Sequence, residues 1–335
     1  MRAAVIQGPG LPLAVTDVDD AVPADGELLL RVDACGICGS DLHLADALPL
    51  PGLVLGHEFC GTVEGVGAGV EGWEPGDRAA GMPLATCGHC AACLSGRPRK
   101  CPTATMIGIE RPGAFAEAIA IPAASAWRLP SGLDARHGAL VEPLAVGLHT
   151  VDRAGVSPGD DVLVLGGGPV GLATAIWAQH LGAREVGLSD PVASRRELAE
   201  RLGATATFDP TTVDVGAAFT EATGASPAVV IECVGVPGLI QHACDVVALD
   251  GTVVVAGVCL QPDDLTPLVP LQKEIDIRFA FYYRSSDWDL TLRALDDRRI
   301  DPLPLVTHEI TLDDVPASFA ALLHPTTESK VLIRP

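Results

Sequence analysis

The sequence predicts an α/β protein in which a β-rich domain is interrupted by an inserted, doubly wound parallel-sheet domain. Three observations predict it. Near residue 157 the pattern changes from short strands between Gly, Pro and Asp to strands alternating with helices. The later strands are apolar on both faces, as in a parallel sheet covered on both sides. A glycine-rich turn, Gly166-Gly167-Gly168-Pro169-Val170-Gly171, lies between one such strand and a helix. At 335 residues the chain is long enough for two domains. The expected division is 1–145 with 281–335 for the β-rich domain and 146–280 for the insert.

Residues 1–7 read as a first strand, because they lack the long apolar run of a leader. Short strands follow at 27–32, 61–66 and 114–119. In the insert, a continuous apolar strand at 161–165 leads through the glycine turn into a helix ending near 181. Then come a strand at 185–188, a charged helix at 193–202, a strand at 228–232, a helix at 239–248 and a strand at 252–255. A helix at 288–295 and a strand at 330–334 close the chain. Residues 162–183 carry no Asp, Glu, Lys or Arg and are long enough to span a bilayer. The turn at 166–169 breaks that stretch, so it reads as buried strand, turn and helix in a soluble, cytoplasmic protein.

Charge limits the partners. With 22 Lys and Arg against 43 Asp and Glu, the formal charge is -21. Such a surface repels phosphate backbones and anionic membranes, which excludes nucleic acid and lipid as expected partners. Ten cysteines are too few for a disulfide scaffold in so long a chain. Five of them fall between Cys60 and Cys101, the pattern of a metal site in a reducing compartment.

The glycine turn satisfies G-x-G-x-x-G in the right context. Gly166 allows the tight turn, Gly168 lets the backbone approach a pyrophosphate, and Gly171 lets the helix pack on the sheet. Pro169 and Val170 begin the helix, whose N-terminus supplies N–H donors to the anion. Asp190 follows the next strand, where a carboxylate accepts both ribose hydroxyls of NAD and repels the 2′-phosphate of NADP. Arg195 and Arg196 lie close enough to soften that preference.

Cys87, Cys90, Cys93 and Cys101 give C-x2-C-x2-C-x7-C. Four thiolates on one short loop can converge tetrahedrally on Zn²⁺ and leave no open position, which makes a structural site. An iron–sulfur cluster uses the same ligand set, and metal analysis distinguishes the two. His89 lies between two of the ligands and reads as a bystander. A second constellation is dispersed: Cys38 with Ser40, Asp41 and His43, then His57-Glu58, then Glu142. A thiolate, an imidazole and a carboxylate from separate loops, with one position left to water or substrate, make a catalytic zinc site.

Together these residues resemble the zinc-dependent medium-chain alcohol dehydrogenases, in particular the polyol/secondary-alcohol branch (sorbitol, butanediol and threonine dehydrogenase-like). The resemblance covers essentially the whole chain. It implies a GroES-like catalytic domain with an inserted Rossmann domain, two zinc ions per chain, NAD in preference to NADP, a small alcohol or ketone substrate, and a homodimer or homotetramer. It implies that Cys38 and His57 ligate the catalytic zinc, with Glu142 or Glu58 as third ligand. Asp41 would orient His57, Ser40 and His43 would relay the proton, and Lys330 would reach the cofactor pyrophosphate. Pocket walls are expected from loops near 44–51, 106–109 and 281–284. Competing readings are an NADPH-linked aldehyde or ketone reductase of the same family and a non-enzymatic NAD-binding sensor. A redox-sensing role for the cysteine lobe is a further alternative.

Overall fold

The computed structural model describes residues 1–47, 50–324 and 327–335. Leu48 and Pro49, in one of the expected pocket loops, lie outside the described residues. The chain divides into two compact units. The first comprises Met1–Glu142, Arg284–Arg298 and Val306–Pro335, and the second comprises Pro143–Tyr283 and Arg299–Leu305.

The first unit opens with an antiparallel pair, β1 (Arg2–Val5) and β2 (Ala14–Asp17). Next come β3 (Glu27–Gly36), α1 (Gly39–Ala47), β4 (Glu58–Val66), β5 (Arg78–Gly81) and β6 (Leu84–Ala85). They are followed by α2 (Ala91–Leu94), β7 (Thr105–Met106), β8 (Ala118–Pro122), β9 (Ala126–Arg128) and α3 (Ala135–Ala154), which begins in the first unit and belongs to the second from Pro143 on. The second unit alternates β10 (Asp161–Leu165), α4 (Pro169–His180), β11 (Glu185–Ser189), α5 (Ala193–Arg201) and β12 (Ala206–Phe208). It continues with α6 (Val215–Thr223), β13 (Val229–Glu232), α7 (Leu239–Val246), β14 (Thr252–Val255), α8 (Leu268–Lys273) and β15 (Asp276–Phe279). The last elements are α9 (Ser285–Asp296), β16 (Val306–Thr311), α10 (Val315–Leu322) and β17 (Lys330–Arg334).

In the first unit, seven strands form one sheet in the order β16-β17-β3-β4-β5-β9, with β8 also on β3. Alternation along β3 buries Leu28, Leu30, Val32 and Ala34 and turns Arg31 outward. Leu28, Leu30 and Val32 join Phe59, Phe115 and Ile121 in a common core. Each such side chain contributes roughly 1.5–3 kcal/mol on burial. The strand expected at 114–119 is displaced to β8, at Ala118–Pro122. Its first residues bond elsewhere: Ala114 N–H donates to Gly56 O, Phe115 N–H to Leu55 O, and Ala4 N–H to Phe115 O. Residues 299–305, expected with the β-rich domain, cluster instead with the α/β unit, where the short helix Leu303–Leu305 meets α5 and buries Leu305.

In the second unit, six parallel strands run in the order β12-β11-β10-β13-β14-β15. The chain adds β11 and β12 on one side of β10 and then crosses to β13 on the other. That makes the carboxyl end of β10 the topological switch point, where open α/β sheets bind ligands. All five residues of β10 are buried, as a central strand covered on both faces requires. The glycine turn lies at this end. Gly166 has φ +102, and a Cβ on Gly171 would stand 1.9 Å from Gly166 O, so only glycine lets α4 close onto the turn.

Candidate active site

The cysteine lobe is shaped by short local hydrogen bonds. Leu94 N–H donates to Cys90 O, Arg97 N–H to Ala92 O, and Cys101 N–H to Pro98 O. These turns bring the sulfurs of Cys87, Cys90, Cys93 and Cys101 within 4.8 Å of one another. Individual separations are 3.5 Å for Cys90–Cys93, 3.7 Å for Cys101–Cys87 and 4.0 Å for Cys87–Cys93. A tetrahedral zinc with Zn–S near 2.3 Å needs sulfurs about 3.8 Å apart, so the donor set fits the ion. Hydrogen bonds from the Cys87 backbone and the Thr103 hydroxyl hold the Cys101 thiol down at about 6. Burial, with the Cys90 contact, pushes Cys93 up to about 11. His89 is exposed and engages the carbonyl of Cys87 through Nδ1, outside the sulfur cluster.

The second cluster forms where β3 ends between β4 and β17. Gly36 lies opposite Glu58 on one side and Leu332 on the other. The ligand atoms of Cys38, His57 and Glu58 lie within 4.8 Å of one another. At the start of α1, Asp41 is buried and takes two roles. One oxygen accepts the Cys38 N–H at 3.0 Å, and the other meets His57 Nδ1 at 3.1 Å. His57 Nε2 is thereby left facing Cys38 and Ser40. The Ser40 hydroxyl donates to Cys38 Sγ at 3.3 Å and lies 3.4 Å from His57 Nε2. Burial opposes charge on His57, but the Asp41 carboxylate and the Cys38 sulfur outweigh it and raise the ring's pKa well above its ordinary value. A thiolate and an imidazole on one small volume fit a zinc ion, for which both are ligands.

Two expected residues stand apart from this cluster. Glu142 is buried near the middle of α3 and is not among the converging ligand atoms. His43, one turn beyond Ser40 on α1, is exposed and makes no hydrogen bond to a described residue. Lys330, expected to reach a pyrophosphate, is fully buried, and its Nζ donates to both oxygens of Glu58 (2.7 and 2.5 Å) and to Ile37 O (3.0 Å). The cause is β17, which inserts beside β3 and carries Lys330 over Gly36. A Cβ on Gly36 would fall 2.1 Å from Glu58 Oε2 and 3.2 Å from Lys330 Cδ. Burial lowers the Lys330 pKa, yet the charges of Glu58 and Cys38 outweigh it and leave the ammonium favoured.

At the glycine turn, a Cβ on Gly168 would meet nothing within 4 Å. That open space lies at the N-terminus of α4, where Pro169 takes the first helical position and the free N–H groups attract an anion. Asp190 is buried; Oδ2 accepts the Gly167 N–H and Oδ1 the Val192 N–H, both at 2.8 Å. Arg195 Nη1 lies 3.6 Å from Asp190 Oδ2, and Arg196 Nη1 donates to the Asp190 carbonyl at 2.7 Å. Ser194 Oγ and Arg195 Nε are buried without hydrogen-bond partners among the described residues. Unmet donors and acceptors beside a glycine cradle fit a nucleotide.

Residues 24–131 match the alcohol dehydrogenase GroES-like domain, and residues 169–297 match the zinc-binding dehydrogenase family. The chain belongs to the zinc-dependent medium-chain alcohol dehydrogenases. Sorbitol dehydrogenase from Gallus gallus is 37% identical, covering 89% of this chain and 86% of its own. A 2-dehydro-3-deoxy-L-galactonate 5-dehydrogenase from Pseudoalteromonas atlantica is 34% identical, with 89% and 88% covered. A zinc-binding dehydrogenase from Sinorhizobium meliloti 1021, solved bound to NADP, is 36% identical with a TM-score of 0.90 over 100% and 99% of the two chains. This dehydrogenase is therefore an oxidoreductase of alcohol groups, with two sites compatible with zinc and a unit for NAD(P). No helix among its described residues is long and apolar enough to cross a membrane.

Proposed function

We propose that the chain oxidises a polyol or another secondary alcohol to its ketone with NAD, as a cytoplasmic homodimer or homotetramer. The observation that carries this reading is the convergence of Cys38, His57 and a carboxylate beside the Ser40 hydroxyl. The substrate class is supported by the sorbitol and sugar-acid dehydrogenases to which the chain is similar. Asp190 supports NAD over NADP, because its carboxylate would face the charge of a 2′-phosphate. Ten free cysteines support a reducing compartment.

When bound, zinc supplies Lewis acidity that lowers the pKa of a substrate hydroxyl, and the nicotinamide accepts the hydride. The chain's residues do the rest. Cys38 and His57 hold the metal, with Glu58 or Glu142 completing the set. Asp41 fixes the tautomer and direction of the imidazole, so that Nε2 is the free nitrogen. Ser40 would take the departing proton at Oγ as it gives up its own hydroxyl proton, with the exposed His43, one turn further along α1, as the group that returns a proton to water. Cys87, Cys90, Cys93 and Cys101 hold a second zinc whose contribution is folding energy.

A screen for NADH formation over polyols, sugar acids, amino alcohols and simple secondary alcohols tests the proposal. Turnover of a polyol or sugar acid with NAD supports it. Zinc-replete protein that oxidises no secondary alcohol with either NAD or NADP overturns it.

A further inference from the structure

One buried acid, outside both metal clusters and the glycine turn, sits at the carboxyl edge of the parallel sheet. Glu232 is the last residue of β13 and is 1% exposed. Its Oε1 accepts the N–H groups of Val234 at 2.6 Å and Gly235 at 2.7 Å. Its main-chain carbonyl accepts the N–H groups of Ala256 at 2.8 Å and Gly257 at 3.0 Å, in the loop that follows β14. One residue therefore ties two neighbouring loops at their roots. The loops also touch backbone to backbone. A Cβ on Gly257 would lie 2.2 Å from Gly235 N and 2.6 Å from Glu232 Oε2.

The tied loops bear directly on the nucleotide turn. Cys233 N–H donates to Leu165 O at the end of β10, and a Cβ on Gly166 would lie 2.7 Å from Val234 Cγ2. Val234, Val236 and Val258 remain exposed along this edge. Exposed apolar side chains beside an anion-binding turn suit the flat rings of a dinucleotide. Without an acceptor for two successive N–H groups, the start of the β13–α7 loop would have to hydrate and Val234 would lose its seat.

We propose that Glu232 is a positioning residue for the cofactor, setting the loops after β13 and β14 against the Gly166 turn so that Val234 and Val258 present an apolar face to the dinucleotide. The proposal rests on the reading of this unit as NAD(P)-binding. The glutamate acts through the loops.

The test compares Glu232→Leu, Glu232→Gln and Gly257→Ala with the wild-type holoenzyme. NADH and NADPH binding are measured by fluorescence titration, alongside zinc content, and KM and kcat for the cofactor and an alcohol. For Glu232→Leu we expect NADH affinity to fall at least about tenfold. The cofactor KM should rise in step, with two zinc ions retained and the alcohol KM little changed. Glu232→Gln keeps an acceptor oxygen and should hold affinity within about threefold. Gly257→Ala spreads the same loops without removing the acid, and should weaken NADH binding even if the leucine variant does not fold. Wild-type NADH affinity in a folded Glu232→Leu or in Gly257→Ala overturns the proposal. So does equal damage in Glu232→Gln and Glu232→Leu. A wild-type protein that binds neither NADH nor NADPH instead overturns the reading beneath it.

Discussion

Lys330 and Glu58, 272 residues apart in sequence, form a closed ion pair with Nζ–O distances of 2.7 and 2.5 Å. The side chains are 0% and 1% exposed. The pair lies over Gly36, beside the Cys38–His57 cluster. It gives one candidate zinc ligand a cation as a competing partner. Removing one member of a buried pair leaves an uncompensated charge, at a cost of about 3–5 kcal/mol. We therefore expect Lys330→Met to destabilise the chain by that amount in denaturant unfolding, and more than Lys330→Arg. Equal stability in Lys330→Met and wild type would show that the pair does not persist in solution.

Asp41 reaches the catalytic cluster through two bonds, to the Cys38 backbone and to His57 Nδ1. Partners that orient a ligating imidazole typically account for 10–100-fold in metal affinity. Asp41→Asn is expected to release the catalytic zinc about 10–100-fold more readily in chelator competition, while the cysteine lobe keeps its ion. Unchanged affinity would mean that the hydrogen bond does not set the ligand.

The cysteine lobe carries a pH signature. A depressed thiol pKa means that the folded chain favours the thiolate, so binding competence is present above the folded value and lost as pH falls through it. Protons compete with zinc for all four sulfurs; Cys101 favours the thiolate, whereas burial pushes Cys93 up to about 11, so the lobe should lose zinc progressively as pH falls and Cys101 should be the most acidic thiol of the metal-free lobe. Metal analysis after dialysis at falling pH and thiol titration of the metal-free protein check this; zinc retention independent of pH would contradict it.

Asp190 and the neighbouring Arg195 set the expected cofactor preference. Asp190→Ala should raise the ratio of NADP to NAD kcat/KM, since it removes the charge that opposes a 2′-phosphate. A wild type that already turns over NADP faster than NAD would remove the carboxylate's assigned role.

Much of the architecture could be read locally. The glycine turn has a fixed spacing between a strand and a helix, and the four lobe cysteines lie within one short loop. Relationships made by distant strands were not legible. The family resemblance aims Lys330 at the cofactor pyrophosphate, and its pairing with Glu58 follows only from the placement of β17 beside β3. Glu232 was read as the end of a strand, because its partners belong to loops whose conformation no residue pattern announces. Residues 114–116 have strand-like composition, but their backbone groups bond to Ala4 and to residues 55–56, outside any ladder.

The central claim is that Cys38 and His57 hold the zinc that performs the reaction, and Cys38→Ser tests it most directly. Zinc per chain, alcohol-dependent NADH formation and NADH binding should be measured on one preparation. Zinc is expected to fall from two ions to one and turnover to fall below detection, while NADH still binds to a folded chain. Wild-type turnover in that variant, with the zinc lost, would contradict it.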